Sequence, residues 1–456
     1  ASAGESLAAG VIFTVPAILV IGIWVEIQWF PTLAIALLGG LLGTMFTIAL
    51  RRLFIVEEAL PYPEGVACRE VLVAGEEGGT GALAIVYALG IGALYGLMVK
   101  GFKITHDKTT TAIEIFKTRI FAGMDLSIAL LAVGFIVGIR IASYIFLGGI
   151  IGFVVLVPLV GFLNGWPQSG SLAGGFDSLW YEQIRYVGVG AMVVGGVYTL
   201  WSMRKTIITG LKKSFVQNDL EGEFHLRTEK DLPMKWVTMV CGMLVILTFF
   251  FYWYITGSLV LSLAGALFLA LVSFFFAAVA GYIAGVVGSS NSPVSGMTIA
   301  TLLFTVGLVW IVGSYFLGLG QQDLMYATLL IAAVVASSAA IAGDVMQDLK
   351  TGHMVGATPW RQQIAEIIGV VTGAFVIGPT ISLLHDAFQI TSTACIATNE
   401  RITAAEGIDS PNLYECSNAL YAPQAELIGA IIKGAFVGDM NLPMVFLGAA
   451  LACVLI

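Results

Sequence analysis

Long apolar stretches recur along the whole chain, separated by short polar connectors. Many approach the roughly 20 residues that a helix needs to cross the hydrocarbon core of a bilayer. They are apolar on every face, whereas the strands of a membrane β-barrel are about ten residues long and alternate between apolar and polar positions. The pattern therefore predicts an all-α fold, a polytopic bundle of transmembrane helices.

About twelve stretches are candidates for spans. They are Leu7–Trp29, Thr32–Leu50, Gly81–Val99, Leu126–Ile139, Ile141–Leu163, Val187–Met203, Trp236–Thr256, Leu259–Ala280, Met297–Leu317, Leu324–Ala342, Ile364–Leu384 and Leu427–Ile456. Gly438-Asp439 and Pro443 interrupt the last run, so two elements are possible there. We expect one membrane domain over residues 1–456, with halves 1–235 and 236–456. Because apolar stretches lie at both ends, we also expect the chain to be incomplete there.

Composition narrows the class of protein. Hydrophobic residues make up 58% of the chain and charged residues 11%, against roughly 25% charged in an average soluble domain. The expected partners are the lipid bilayer and a second copy of the chain in a homodimer. No basic tract suggests nucleic acid, no Cys/His spacing suggests a metal site, and no cofactor is expected. Nucleophile and metalloprotease motifs are also missing from the sequence, which argues against an enzyme.

Lysine and arginine assign the sides of the membrane. The connectors Lys100–Arg119 and Arg204–Lys235 are rich in basic residues, which predicts that both face the cytoplasm. The segments Asn164–Arg185 and His385–Gln424 contain one basic residue each and are placed outside. The second of these contains Cys395 and Cys416, which can form a disulfide if that loop faces an oxidising compartment.

Three apolar segments separate the two basic connectors, although connectors on the same side require an even number. The conflict disappears if Leu126–Ile139, which is short for a span, enters and returns as a re-entrant half-helix that breaks near Arg140. A second interruption, Gly281–Ser290, overlays Gly134–Ser143 with the shared pattern G-x-I-x-G-x-x-x-x-S. Two breaks in corresponding places indicate internal pseudo-repeats and point to a transporter binding site.

Small polar residues cluster at the second break, in a region with no charged residue between Leu259 and Leu317. A helix N-terminus at membrane depth would present free N–H groups that suit a carboxylate. We predict that the two breaks face each other and form the substrate site, with the residues Arg140, Ser143, Ser289, Ser290, Asn291 and Ser292. The alternatives are a capped surface loop and an internal pair between Arg140 and Asp125 or Glu366.

Three carboxylates are candidates for proton coupling, because intramembrane acids are costly and usually functional. Glu64 follows two prolines that place it in the first turn of a helix, Asp344 follows an apolar helix, and Glu366 lies next to an apolar run. An interfacial position is the alternative for Glu366. The connector after Asp344 contains Asp348, Lys350 and Arg361. We interpret these three as a gate whose charges exchange partners, or else as a solvated connector.

Four motifs resemble the oligopeptide transporter family, which includes the yellow-stripe-like metal-chelate transporters. They are Pro61–Gly65, Gly288–Gly296, Gly343–Gly352 with Ala357–Arg361, and Tyr421–Gln424. The resemblance implies a proton-coupled secondary transporter that imports oligopeptides or peptide-like metal chelates. The short loops look like those of prokaryotic members, which implies the bacterial inner membrane. The alternative function is a channel or pore, where re-entrant segments also occur.

Overall fold

The computed structural model describes residues 2–104, 108–115, 118–167, 172–188, 190–191, 194–195, 197–198, 201–202, 204–205, 226–290, 292, 294–391, 395–396, 398–399, 403, 416, 419–420, 422–437 and 442–455. Within these residues, nine helices are long and apolar enough to cross a membrane. The predicted all-α, polytopic bundle is confirmed.

The first half of the described chain is helical apart from one hairpin. Its elements are α1 Ser2–Val20, α2 Trp29–Arg51, α3 Pro63–Glu77, α4 Gly79–Gly96, β1 Lys108–Ile115, β2 Thr118–Asp125, α5 Ile128–Val137, α6 Ile139–Gly149, α7 Val157–Asn164 and α8 Leu172–Leu179. The antiparallel hairpin was not predicted. It lies in the first basic connector, where β-branched residues such as Thr110 and Ile113 favour strands.

The second half contains the longest helices. They are α9 Met234–Thr256, α10 Leu259–Val287, α11 Val294–Val309, α12 Gln321–Met354, α13 Pro359–Phe388, α14 Pro423–Val437 and α15 Leu442–Leu455. The described parts of the last apolar run are α14 and α15, and the interruption predicted at Gly438-Asp439 lies outside the described residues.

Helix α12 lies at the centre of the bundle and is buried along almost its whole length. Helices α1, α2, α10 and α11 pack around it. Small residues allow this close approach: a Cβ added at Gly39 would lie 2.6 Å from the Val334 carbonyl oxygen, and one at Gly43 would lie 2.5 Å from that of Ser338. In contrast, α4 buries none of its side chains. The rigid part of the fold is therefore the packing around α12.

Both predicted helix breaks are present in the backbone. Gly138, between α5 and α6, has φ 84° and ψ 162°, and Gly288, at the end of α10, has φ 89° and ψ 157°. Such dihedral angles are essentially confined to glycine. The matching geometry pairs Gly138 with Gly288, whereas the sequence overlay pairs Gly138 with Gly285. The overlay was therefore out of register, because it followed the glycine spacing rather than the residue that ends the helix.

Candidate functional site

The Pro-Tyr-Pro-Glu-Gly segment is tied to the end of α10 by Tyr62. The Tyr62 N–H donates to the Gly285 carbonyl oxygen at 2.9 Å, and its hydroxyl donates to that of Gly281 at 3.0 Å. Tyr62 is fully buried and has a left-handed backbone with φ 47°, which costs about 1–3 kcal/mol for a side chain of this size. Pro63 then begins α3. The contacts of Tyr62 thus hold a strained turn that points α3 at the break.

Gln347 of α12 holds the first turn of α3. Its Oε1 accepts from the Gly65 N–H at 2.8 Å, and its Nε2 donates to the Ala284 carbonyl oxygen at 2.9 Å. The Thr351 hydroxyl donates to the Gly65 carbonyl oxygen at 3.0 Å. A Cβ at Gly65 would lie 2.7 Å from the Gln347 carbonyl oxygen, so only glycine fits. Three elements therefore fix the position of the neighbouring Glu64.

The Glu64 carboxylate sits on the backbone just after Gly288. Its Oε2 accepts from the Ser289 N–H at 3.1 Å, and its Oε1 accepts from the Ser290 N–H at 3.0 Å. The Ser289 hydroxyl also donates to Oε2. A Cβ at Gly288 would lie 2.8 Å from Oε1. Successive N–H groups of this kind form an anion-binding seat, and here an internal carboxylate fills it. We call the Ser289 and Ser290 N–H groups the amide seat.

Asp344 of α12 joins the same cluster. Its Oδ2 accepts from the Ser6 hydroxyl of α1, and its carboxyl group lies near the Ser289 hydroxyl and the Glu64 carboxylate. The Ser289 hydroxyl donates to Glu64, so it cannot donate its single proton to Asp344 at the same time. Two carboxylates this close repel each other, and a proton bound to either one removes that repulsion. The arrangement is therefore suited to holding one proton between two carboxyl groups.

A second carboxyl pair lies one helical turn further along α12. The carboxyl groups of Asp348 and Glu366 lie near each other, and Glu366 is only 9% exposed. Two carboxylates this close repel each other when both are ionised, so this pair also favours one bound proton. The Gln362 amide nitrogen donates to the Asp348 carbonyl oxygen at 2.5 Å. Asp344 and Asp348 thus share one face of α12, and Glu366 of α13 lies near Asp348. Asp344 and Glu366 were predicted as coupling residues and Asp348 as a gate residue.

The ion pairs suggested for the gate do not form among the described residues. Asp348 and Lys350 are two positions apart in α12, and residues at that spacing do not face each other on a helix. The Arg361 guanidinium lies over the Trp360 ring, 5.4 Å from its centroid. The gate therefore stays a prediction. Met354 ends α12 and Pro359 begins α13, so most of the connector in which it was placed is helical.

Sequence reasoning missed a buried ion pair at this end of the bundle. Arg51 is 2% exposed, and its Nη1 donates to both Asp231 carboxylate oxygens at 3.0 Å. Gln363 donates to Asp231 Oδ1 at 2.6 Å and accepts from the Leu232 N–H at 2.8 Å. The Trp360 N–H donates to the Lys230 carbonyl oxygen. Nothing in the sequence marks this pair, because Arg51 ends an apolar run and Asp231 lies in a charged connector.

Two residues of the predicted substrate site make no polar contact with the cluster within the described part of the chain. Arg140 and Ser143 are exposed on α6, and the Ser143 hydroxyl donates to the Ile139 carbonyl oxygen of its own helix at 2.6 Å. No hydrogen bond or ion pair between described residues links Arg140 or Ser143 to Glu64. Asn291 lies outside the described residues. The Ser292 side-chain oxygen is buried, with no hydrogen-bond partner among the residues described.

The predicted cysteine pair is brought together in the structure. Cys395 and Cys416 form a disulfide with their Cα atoms 5.5 Å apart. Beside it, the chain after α13 pairs with the chain before α14 through Ile390 and Leu420. Among the described residues, no group of three or more His, Cys, Asp or Glu side chains could hold a metal ion.

Comparisons with known proteins give the family. All of residues 1–456 match the family model described as OPT oligopeptide transporter protein. A proposed oligopeptide transporter of Haemophilus influenzae is 33% identical over 465 residues, which cover 98% of this chain and 71% of that protein. Metal-nicotianamine transporter YSL1 of Arabidopsis thaliana is 23% identical over 365 residues, 76% of this chain and 53% of the plant protein. Iron-phytosiderophore transporter YSL15 of Oryza sativa subsp. japonica is 28% identical over 133 residues, 27% of this chain and 20% of the rice protein.

The chain thus spans about seven-tenths of the Haemophilus relative and about half of the Arabidopsis one. No solved structure matches it. The match over the whole chain confirms the resemblance carried by the four motifs, and it assigns the chain to transporters rather than to enzymes. This integral membrane protein belongs to the OPT oligopeptide transporter family.

Proposed function

We propose that the protein is a proton-coupled secondary transporter that imports oligopeptides or peptide-like metal chelates. Two relatives support this substrate class, since one is a proposed oligopeptide transporter and the other a metal-nicotianamine transporter. We place the protein in a bacterial inner membrane because the Haemophilus relative is bacterial and the loops are short. The connectors Lys100–Arg119 and Arg204–Lys235 then face the cytoplasm.

The observation that carries the proton coupling is the cluster of Glu64, Ser289 and Asp344. The two carboxyl groups lie near one serine hydroxyl, which donates to Glu64, so a bound proton removes the repulsion between them. The three residues come from α3, the break after α10, and α12. A proton that binds or leaves therefore changes the attraction between three separate elements, which is what coupling a proton to a conformational change requires.

The pair of Asp348 and Glu366 is the next acceptor in this proposal. Asp344 and Asp348 are four residues apart, so their side chains lie on the same face of α12. Asp348 and Glu366 also lie close to the end of α13 that contacts the second basic connector through Trp360 and Lys230. Protons would pass from the first pair to the second, and then to the cytoplasm. Among the described residues Arg361 forms no salt bridge, so it is available to pair with Asp348 in another conformation.

A channel or pore is the second candidate function, because helix breaks also line channels. A carrier binds substrate and exposes it to one side at a time, whereas a channel needs no such exchange. Counterflow separates the two: unlabelled substrate inside vesicles stimulates entry of labelled substrate through a carrier only.

The proposed function is tested by uptake into proteoliposomes that contain the full-length protein. A panel of di- and tripeptides and iron–nicotianamine would be supplied with and without an inward proton gradient. We expect accumulation of at least one compound, and only with the gradient. A protonophore at constant external pH should abolish it. Uptake that the protonophore leaves unchanged would contradict the proton coupling.

A further inference from the structure

The amide seat at Ser289 and Ser290 has a second role that follows from its geometry. We propose that it binds a carboxylate of the transported molecule, and that Glu64 fills it as an internal stand-in when no substrate is bound. This inference rests on the proposed transport function and deepens it, because it assigns a chemical group of the substrate to named atoms of the protein.

The hydrogen bonds between the amide seat and Glu64 all go to the carboxylate group of that side chain. Its contacts are the Ser289 N–H at 3.1 Å from Oε2, the Ser290 N–H at 3.0 Å from Oε1, and the Ser289 hydroxyl on Oε2. All three donors bind carboxylate oxygens, and each oxygen has its own N–H group. A carboxylate on another molecule can make the same hydrogen bonds with the same geometry. The seat therefore suits a carboxylate, and in this structure that carboxylate belongs to Glu64.

The seat is also accessible. Ser290 is exposed and Ser289 is partly exposed, whereas the α12 helix behind them is buried. An incoming carboxylate can therefore reach the Ser290 side without separating the packed helices. The buried Ser292 side-chain oxygen, which has no partner among the described residues, lies two positions further along the same break.

Protonation of Glu64 favours the exchange of one carboxylate for the other. An ionised carboxylate forms charge-assisted hydrogen bonds that are roughly twice as strong as neutral ones. When a proton binds to Glu64, its carboxylate becomes a neutral carboxylic acid and its hold on the two N–H groups weakens. The ionised substrate carboxylate then replaces it. After the substrate leaves, Glu64 releases the same proton and returns to the seat as a carboxylate, so each cycle carries one proton through this residue.

Binding to the purified full-length protein tests the inference. The probes are trialanine, trialanine amide and iron–nicotianamine, measured by titration calorimetry at neutral and at mildly acidic pH. In the parent protein, affinity for the probes with carboxylates should rise at acidic pH. Glu64→Gln empties the seat of charge, so these probes should bind about tenfold more tightly at neutral pH. The rise in affinity at acidic pH should be smaller than in the parent, because Asp344 is then the remaining carboxyl group of the cluster. Trialanine amide should bind weakly to both proteins.

Two further variants keep the test decisive. Glu64→Asp retains the charge but shortens the side chain, so the affinity for probes with carboxylates should rise while its pH dependence persists. This variant serves if Glu64→Gln folds poorly. Glu77→Gln is the matched control, because Glu77 is exposed at the other end of α3, and it should behave like the parent.

Equal affinity for trialanine and its amide, or a Glu64→Gln variant whose affinity and pH dependence match those of the parent, would overturn the inference. Either result could occur together with proton-driven uptake, which would leave the proposed function intact. If only the iron chelate binds, its pH dependence in the parent and in Glu64→Gln decides the question. If no probe binds and no uptake occurs, both proposals fail.

Discussion

Two glycines with nearly the same backbone conformation have different surroundings. A Cβ at Gly138 would meet no atom within 4 Å, whereas a Cβ at Gly288 would lie 2.8 Å from Glu64 Oε1. Alanine at either position carries a backbone cost of about 1–3 kcal/mol. Only alanine at Gly288 also pushes against the carboxylate in the amide seat. Comparing alanine substitutions at Gly138 and Gly288 therefore separates the backbone cost at a helix break from the function of the amide seat.

We predict that Gly288→Ala and Gly138→Ala lower the thermal stability of the purified protein by similar amounts. Only Gly288→Ala should also abolish the acid stimulation of uptake, because it displaces Glu64. Thermal unfolding and proteoliposome uptake at two pH values measure the two effects. An equal loss of transport in both variants would contradict this assignment and would return the Gly138 break, with Arg140, to the substrate site.

The sequence analysis singled out Glu64 and Ser289 but did not predict that they are in contact. Glu64 was predicted as a coupling residue, and Ser289 as a binding residue because it is a polar residue between two apolar segments. The two are 225 positions apart. Their contact depends on the left-handed turn at Tyr62 and on the packing of α3 between α10 and α12. Neither has a periodic signal in a single sequence.

At the scale of helices, one buried ion pair connects three elements. Arg51 ends α2, Asp231 precedes α9, and Gln363 lies in the second turn of α13. A buried charge that loses its partner is costly, whereas replacing both charges by apolar side chains is often neutral. The effects of substituting Arg51 and Asp231 on the stability of the protein should therefore be strongly non-additive.

We predict that Asp231→Leu destabilises the protein by about 3–5 kcal/mol, because it leaves the Arg51 charge buried without its partner. The double variant Arg51→Met with Asp231→Leu should recover most of that loss. The control is Arg52→Met: its Nε is 3.7 Å from Glu57 and its side chain is 35% exposed, so the change should be within about 1 kcal/mol. Chemical denaturation in detergent measures all of them. Additive effects in the double variant would contradict a coupled pair.

The spans were predicted where apolar runs are long, whereas helix ends were missed where local geometry decides. The spans in α9, α10 and α12 follow from hydrophobicity over about 20 residues, but α10 continues to Val287 and α12 to Met354. Helix α1 ends at Val20 rather than Trp29, because the chain turns at Gly22 with φ 81°. Helix α3 contains many polar residues and carries no apolar run, so only the two prolines before Glu64 indicated it.

At the scale of the whole molecule, the predicted orientation in the membrane also predicts whether the disulfide persists. If the segment between α13 and α14 faces outside, Cys395 and Cys416 meet an oxidising compartment and remain bonded. Non-reducing mass spectrometry of protein purified from membranes should find these two bridged and Cys68, Cys241 and Cys453 free. If both Cys395 and Cys416 are found as free thiols in oxidised material, the disulfide is contradicted. Labelling of a cysteine at Lys108 from outside intact cells would contradict the orientation.

The central claim is that Glu64 couples the proton to the substrate at the amide seat. It is tested most directly by measuring accumulation and counterflow of one transported compound in the same proteoliposomes, with the parent and with Glu64→Gln. The parent should accumulate the compound only under an inward proton gradient. Glu64→Gln should exchange labelled for unlabelled compound at a rate similar to the parent but fail to accumulate it with the gradient. Gradient-driven accumulation by Glu64→Gln at the level of the parent would contradict the claim.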